Sequence, residues 1–168
     1  MSESKCRMLQ EIPIFGSLSE DTLYFLLSHS TEISRRRGEL FFQEGDTAQS
    51  LYVLESGRAA VLKSWDNSQY LINDVEVGDC FGEMAITDIH PRSASVMAIE
   101  DCLAFEIKAS SIIELCQQNL QQFTIFQMNL AREISRRLRN SDEQIFRYRV
   151  MKDSLTQELG YKEFIPNS

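Results

Sequence analysis

The chain has 168 residues, 43% of them hydrophobic and 25% charged, which is enough to bury one good core with one appended element. Its 25 acidic and 17 basic residues give a formal net charge of −8, which disfavours nucleic acid as the main partner because duplex-binding proteins need a basic face. No apolar run approaches the roughly 20 residues that span a bilayer, and the N-terminus lacks the form of a secretory signal, so the sequence predicts a cytoplasmic protein without a membrane partner.

The N-terminal part of the chain is predicted to be helical over residues 9–29. Ser17 followed by Glu20 forms a candidate capping box, ahead of an apolar stripe that contains Leu23 and Leu27. This pattern predicts a short amphipathic helix that packs on a core.

From about residue 31 to residue 108, short apolar runs alternate with turns that contain glycine. Residues 51–54 and 59–62 flank residues 55–58, a segment typical of a hairpin turn. Five of the seven glycines lie in this region, where a residue that tolerates positive φ marks a tight turn: Gly38, Gly45, Gly57, Gly78 and Gly82. Several short strands at regular spacing predict a closed or rolled antiparallel sheet.

The last third of the chain returns to helical periodicity. Ser110 or Ser111 is a candidate cap for a short helix that reaches Cys116, and a long helix is predicted over residues 118–159. Its second half carries a heptad seam, which favours a parallel two-fold homodimer: Leu138, Ser141, Ile145, Tyr148, Lys152 and Leu155. Gly160 is a predicted helix stop. The predicted division is therefore 1–117, 118–159 for the dimerisation helix, and 160–168 for a tail.

A motif between the predicted strands carries the chemistry of the chain. Phe-Gly-Glu-Met-Ala-Ile at 81–86 is followed by Pro-Arg-Ser-Ala-Ser-Val at 91–96. Arg92 offers a planar fork of donors that matches phosphate oxygens, whereas Glu83 offers acceptors suited to sugar hydroxyls. Gly82 lets the backbone approach a ligand closely. The motif predicts a site for a small, sugar-bearing phosphate; the alternative is a weak surface ion pair at a hairpin.

In this order the motif resembles the phosphate-binding cassette of the cyclic-nucleotide-binding domains, the family of the catabolite activator protein and of the regulatory subunits of cyclic-nucleotide-dependent kinases. The resemblance implies that Glu83 binds the ribose 2′-hydroxyl and that Arg92 and Ser93 bind the cyclic phosphate. The turn glycines match the family's β-roll. The expected fold is therefore mainly β with flanking helices: an eight-stranded antiparallel β-roll, jelly-roll-like, with an N-terminal helix and a long C-terminal dimerisation helix.

Residues 135–143 resemble the family's central helix, in which small polar residues contact the base of the ligand. Ser141 and Asp142 occupy those positions, although the family usually has a hydroxyl residue at both, and the alternative is an exposed helix surface. Arg137 is either part of a charged helix face or a further ligand contact. The candidate ligand-binding residues are Gly82, Glu83, Met84, Ala85, Arg92, Ser93 and Ala94 of the cassette, Val61 and Ile72 of the strands, and Arg137, Ser141 and Asp142 of the helix.

The predicted function is that of a homodimeric sensor for a cyclic nucleotide, with cAMP preferred and cGMP as the alternative, which signals to a downstream protein. No catalytic activity and no metal are expected, because nothing pairs a nucleophile with a base. Two alternatives stay open: a structural dimer that acts as a scaffold with a degenerate pocket, and a redox or gas sensor with an iron–sulfur cluster or haem. Residues 160–168 are too few for a recognition helix, so the chain is either a stand-alone sensor or a piece of a longer regulator.

Overall fold

The computed structural model describes residues 3–87 and 90–158 of the chain. The helices are α1 (Glu3–Glu11), α2 (Glu20–Ser28), α3 (Met84–Thr87), α4 (Ala109–Gln118) and α5 (Leu120–Glu158), with a 3₁₀ turn at Pro13–Phe15. The strands are β1 (Ser30–Arg35), β2 (Leu40–Phe42), β3 (Ser50–Ser56), β4 (Ala59–Trp65), β5 (Ser68–Val75), β6 (Cys80–Phe81), β7 (Ser95–Ala98) and β8 (Cys102–Lys108).

The eight described strands form two four-stranded antiparallel sheets, which confirms the predicted mainly β fold. One sheet has the order β1-β8-β3-β6 and the other β2-β7-β4-β5. Apolar side chains from both sheets form one buried cluster: Phe41, Tyr52, Leu54, Ala59, Val75, Phe81, Val96, Ala98, Cys102 and Ala104. Phe42 and Val61 pack against this cluster while partly buried, so the core extends towards the end of β6, where the sequence motif begins.

The β3–β4 hairpin turns within the segment predicted for it. Gly57 adopts φ +85°, and a Cβ built there would lie 2.3 Å from the carbonyl oxygen of Asp101. A side chain at this position would therefore meet backbone that cannot move aside. The next hairpin uses Asp66 and Asn67, both with positive φ, a pairing typical of a two-residue turn between twisted strands.

The predicted N-terminal helix is divided into three helical segments, and its predicted cap is wrong. Ser17 has φ 64°, outside the extended region that an N-cap residue requires. Ser19 caps α2 instead, because its hydroxyl accepts the backbone N–H of Thr22 at 3.3 Å. Pro13 opens the 3₁₀ turn that separates α1 from α2.

The predicted cap of α4 is also wrong, because Ser110 and Ser111 lie inside the helix and Lys108 occupies the N-cap position without a side-chain bond. The break between α4 and α5 falls at Asn119, whose side-chain oxygen accepts the backbone N–H of Gln122 at 3.1 Å. This bond satisfies one of the donors left free at the start of a helix. The predicted start of the long helix near residue 118 is therefore two residues early.

The chain divides into two compact units, Met1–Leu130 and Ala131–Ser168, so the first eleven residues of α5 belong to the unit that contains the sheets. Those residues are anchored by Asn129, which is buried and donates to the carbonyl oxygen of Gly16 at 2.6 Å. Phe126 packs on Phe15 with 6.1 Å between ring centroids.

In the second unit the predicted seam residues Leu138, Ile145 and Tyr148 are each more than half exposed. Lys152 and Ser141 are exposed as well. The side chain of Leu155, the predicted stop at Gly160 and the predicted tail lie outside the described residues. The division into 1–117, 118–159 and 160–168 stays a prediction. None of the helices described for this chain combines the length and the apolar character needed to cross a membrane.

Candidate functional site

The site is built where β6 ends and a single helical turn begins. β6 ends at Phe81, Gly82 follows with φ +75°, and α3 starts at Met84. A Cβ at Gly82 would lie 2.5 Å from Nη1 of Arg92. Glycine is therefore required at position 82 for two reasons: the positive φ of the backbone and the guanidinium that lies against it.

Arg92 is 5% exposed, and its guanidinium lies between a backbone carbonyl and two aromatic rings. Nη1 donates to the carbonyl oxygen of Gly82 at 2.9 Å, and Nη2 lies 3.4 Å from Oγ of Ser50. The guanidinium carbon is 4.0 Å from the ring centroid of Phe42 and 5.6 Å from that of Tyr52, distances typical of cation–π contacts. The Nε–H is buried and has no hydrogen-bond partner among the described residues.

A polar network on β3 and β8, two strands of the sheet that also contains β6, lies beside this guanidinium. Ser50 donates to Oε1 of Glu106 at 2.8 Å, and the hydroxyl of Tyr52 donates to the same oxygen at 3.2 Å. Burial lowers the pKa of Arg92 and raises the pKa of Tyr52; the arginine nevertheless stays charged, because its intrinsic pKa lies far above neutrality. The site therefore holds one buried positive charge with spare donor capacity.

The main chain of Arg92 is held by the turn between β2 and β3. The Arg92 N–H donates to the carbonyl oxygen of Asp46, and the Gly45 N–H donates to that of Arg92, both at 2.9 Å. The direction of the arginine is therefore set by backbone bonds as well as by its side-chain contacts.

The other cassette candidates lie around Arg92. Glu83 is 3% exposed, and the burial of both charged residues excludes the alternative of a surface ion pair. Ser93 is exposed, and its hydroxyl lies 3.8 Å from Sδ of Met84. Ala94 is half-buried, and the backbone of Ala85 lies in α3.

The remaining candidates lie on three other elements. Val61 borders the apolar cluster from β4, whereas Ile72 on β5 is 54% exposed. Ser141 and Asp142 are exposed on the part of α5 that belongs to the second unit. In that unit Arg137 donates to Oε1 of Glu133 at 3.0 Å. The structure therefore brings the cassette candidates together and places the three helix candidates in a separate unit.

The sequence analysis missed four residues that surround the guanidinium: Phe42, Ser50, Tyr52 and Glu106. Tyr52 and Glu106 face each other in the register of β3 and β8, although they are 54 residues apart in the chain. Nothing in the local sequence marks them, because the contact exists only after the two strands have paired.

Among the described residues, no group of three or more His, Cys, Asp or Glu side chains is arranged to hold a metal ion. The chemistry of the site instead lies in donors: a buried guanidinium, the backbone that follows a glycine, and an exposed hydroxyl. On a rolled antiparallel sheet, these donors are suited to a small anionic ligand.

The chain belongs to the family of cyclic nucleotide-binding domains, because the family model "Cyclic nucleotide-binding domain" matches residues 32–119, more than half of its length. The resemblance noted from the cassette is thereby confirmed. The match covers β2 to β8, α4 and most of β1, and it includes both Glu83 and Arg92.

Relatives of two kinds share this part of the chain. The cyclic AMP receptor protein of Thermus thermophilus is 28% identical over 131 residues, which are 77% of this chain and 59% of that protein. A cAMP-dependent protein kinase regulatory subunit of Hypocrea atroviridis is 36% identical over 96 residues, which are 55% of this chain and 19% of that protein. The chain thus spans less than two thirds of the length of either relative.

A solved structure with the same fold is the cyclic nucleotide-binding domain from Methylobacillus flagellatus. It superimposes with a TM-score of 0.77 at 23% sequence identity and covers 87% of this chain and 83% of that chain. At this level of identity the likeness concerns the fold, and it confirms the β-roll with its flanking helices.

Proposed function

We propose that this protein is a cAMP sensor in which Arg92 binds the cyclic phosphate. The observation that carries the proposal is the state of the guanidinium, which is 5% exposed and keeps a buried Nε–H without a hydrogen-bond partner among the described residues. A buried donor that is left unpaired costs about 1–3 kcal/mol. A phosphate oxygen in front of the fork would remove that cost and neutralise the charge.

The neighbouring residues complete the recognition of a ribose phosphate. Glu83 carries only acceptors when ionised, so it is suited to the 2′-hydroxyl of the sugar. Ser93 supplies a hydroxyl and the backbone after Gly82 supplies N–H groups to the phosphate. The family to which the chain belongs supports a cyclic nucleotide as the ligand. The relatives named for cAMP support adenine as its base.

The proposed output is a change in a homodimer that a downstream protein reads. Ser141 and Asp142 on α5 are our candidates for contacts with the base. A ligand shifts the balance between two helix arrangements only by the difference in its affinity for them. Contacts with both the cassette and α5 would create that difference.

Calorimetric titration of the purified protein with cAMP and with cGMP tests the proposal. We expect cAMP to bind at micromolar concentration or below and cGMP to bind more weakly; tighter binding of cGMP would reverse the choice of base. If neither nucleotide binds below about 1 mM, which corresponds to about −4 kcal/mol, the proposal is wrong. Unchanged thermal stability with both ligands would then favour a structural scaffold, because a ligand that binds the native state raises its stability.

Substitution of the arginine tests its assigned role. Hydrogen bonds to charged groups contribute about 1.5–3 kcal/mol each, so we expect Arg92→Ala to weaken cAMP binding by about 100-fold or more. Arg92→Lys keeps the charge and loses the fork, so it should be intermediate. Arg147→Ala is the matched control, because Arg147 lies on the exposed surface of α5, where it pairs with Glu143. Unchanged affinity in a folded Arg92→Ala variant would contradict the phosphate assignment.

A further inference from the structure

Lys63 on β4 links two segments that flank Arg92. Its Nζ donates to the carbonyl oxygen of Ser93 and to Oε1 of Glu44, both at 2.6 Å. The side chain is 48% exposed, yet it reaches the main chain of the residue directly after the arginine. The two acceptors, a loop carbonyl and a carboxylate, together fix the orientation of this lysine side chain although it is exposed.

Glu44 extends this link to the turn between β2 and β3. Its Oε2 accepts the N–H of Ser64 at 3.2 Å, and its own N–H donates to Oγ of Ser95 at 2.9 Å. The bond with Lys63 holds the pKa of the Glu44 carboxyl below its usual range, so the pair is ionised at neutral pH. Main chain and side chain of Glu44 thus bind two different strands.

We propose that Lys63 and Glu44 are positioning residues that hold the backbone of Ser93 in the orientation required for its hydroxyl to meet the ligand phosphate. The inference rests on the proposed function, since it assigns a task to residues next to the same site. Neither residue is assigned a contact with the ligand. Lys63 binds the main-chain carbonyl of Ser93 directly, and Glu44 acts by holding Lys63, while the backbone of Gly45 and Asp46 bonds the main chain of Arg92.

The geometry sets this pair apart from an ordinary ion pair on the surface. Arg58, in the turn before β4, and Asp74, on β5, approach only to 3.9 Å, and both side chains are nearly half exposed. Exposed pairs of that kind contribute about 0–1 kcal/mol to stability. The pair of Lys63 and Glu44 adds a bond to a loop carbonyl, so its main effect is expected on ligand binding rather than on the stability of the fold.

Calorimetric titration with cAMP of three variants tests the inference. We expect Lys63→Met to bind about tenfold more weakly, in line with the loss of a charge-assisted bond, and Lys63→Arg to stay near the wild type. Glu44→Gln separates positioning from simple attraction, because it removes a negative charge near an anionic ligand. Positioning predicts weaker binding by Glu44→Gln. Attraction of the ligand by the net charge predicts equal or tighter binding, and that result would overturn the inference.

Two further measurements complete the test. The double variant Lys63→Met/Glu44→Gln should bind about as weakly as Lys63→Met alone, because residues that act as one unit are not additive. Without ligand, the melting temperatures of all variants should lie within about 2 °C of the wild type. Lys108→Met is the control, since Lys108 is exposed on β8, and its affinity should not change.

Comparison with Arg92→Ala separates this inference from the proposed function. If the wild type binds neither nucleotide, both are wrong. If Arg92→Ala loses binding while Lys63→Met retains it, the proposed function stands and the positioning role is overturned. A Lys63→Met variant that loses both melting temperature and affinity would also overturn the inference, because it would show that the pair is purely structural.

Discussion

Arg92 is a charged side chain in a mostly apolar corner of the sheet, and its burial has to be offset by contacts. The rings of Phe42 and Tyr52 and the carbonyl oxygen of Gly82 supply part of that compensation. Burying a charge without full pairing is expensive. Such a group lowers the stability of the ligand-free protein and increases the affinity for an anionic ligand. This combination is expected of a receptor.

Replacement of Gly82 by alanine tests how closely the backbone and the guanidinium are fitted. The Cβ would lie 2.5 Å from Nη1 of Arg92, in a backbone conformation with φ +75°. We expect Gly82→Ala to lower the free energy of unfolding by about 1–2 kcal/mol and to weaken cAMP binding by about tenfold or more, since the arginine must move. Urea denaturation and calorimetry measure the two effects.

Gly38→Ala is the control for this change. Gly38 has φ +89°, but a Cβ there meets nothing within 4 Å. The variant therefore carries the backbone strain without the displaced guanidinium, and it should lose stability while its affinity for cAMP stays unchanged. Equal loss of affinity in both variants would show that the contact of Gly82 with Arg92 does not matter for the ligand.

The cassette could be recognised from the sequence because its residues are close together in the chain. Gly82, Glu83 and Arg92 lie within eleven residues, and their chemistry can be assessed without knowledge of the fold. Ser50 and Glu106 could not be predicted in the same way. They meet beside Arg92 only because β3 pairs with β8, and strand pairing over such a distance leaves no local pattern.

At the scale of helices and strands, the type of each element was easier to predict than its ends. Glycine spacing indicated the turns, and heptad spacing indicated the long helix. The predicted caps were wrong for different reasons: at α2 two serines compete and tertiary contacts decide between them, whereas the N-cap position of α4 is occupied by Lys108 without a side-chain bond. Ser19, for example, also receives a contact from Gln122, since its N–H donates to that side chain at 2.8 Å.

Glu133 in α5 is expected to make the stability of the protein depend on pH in the acid range. It is 7% exposed and accepts bonds from Arg136 at 2.6 and 2.9 Å and from Arg137 at 3.0 Å. The bonds with Arg136, followed by Arg137, hold the pKa of this carboxyl below its usual range. A lowered folded pKa means that the stabilisation is present above the unfolded pKa of about 4.3 and is lost as the pH falls through the folded value.

We therefore expect Glu133→Gln to remove part of the loss of stability below about pH 5 and to lower stability at pH 7, where the wild-type carboxylate is ionised. Thermal unfolding between pH 7 and pH 3 measures both effects. Glu143→Gln is the matched control, because Glu143 pairs with Arg147 on the exposed surface. If stability falls with decreasing pH to the same extent in wild type and in Glu133→Gln, the arginine bonds do not stabilise the helix.

At the scale of the whole molecule, the second unit exposes more apolar surface than a solitary helix in water is expected to carry. Its large apolar side chains between residues 138 and 151 are each about half exposed or more: Leu138, Ile145, Phe146, Tyr148, Val150 and Met151. The spacing of Leu138, Ile145 and Tyr148 fits a heptad seam. A second copy of the same helix is the partner that such a seam favours, and a homodimer is the assembly that the proposed signalling requires.

Ile145→Asp tests that homodimer. An unpaired carboxylate in an apolar seam is strongly unfavourable, so we expect the variant to dissociate at least about 100-fold more readily, a change of about 2.7 kcal/mol. Sedimentation equilibrium over a range of protein concentrations measures the dissociation constant. Asn140→Asp is the control, because it adds the same charge at an exposed position off the seam, and it should remain dimeric. A wild type that sediments as a monomer at all concentrations would refute the homodimer, and signalling would then have to act within a single chain.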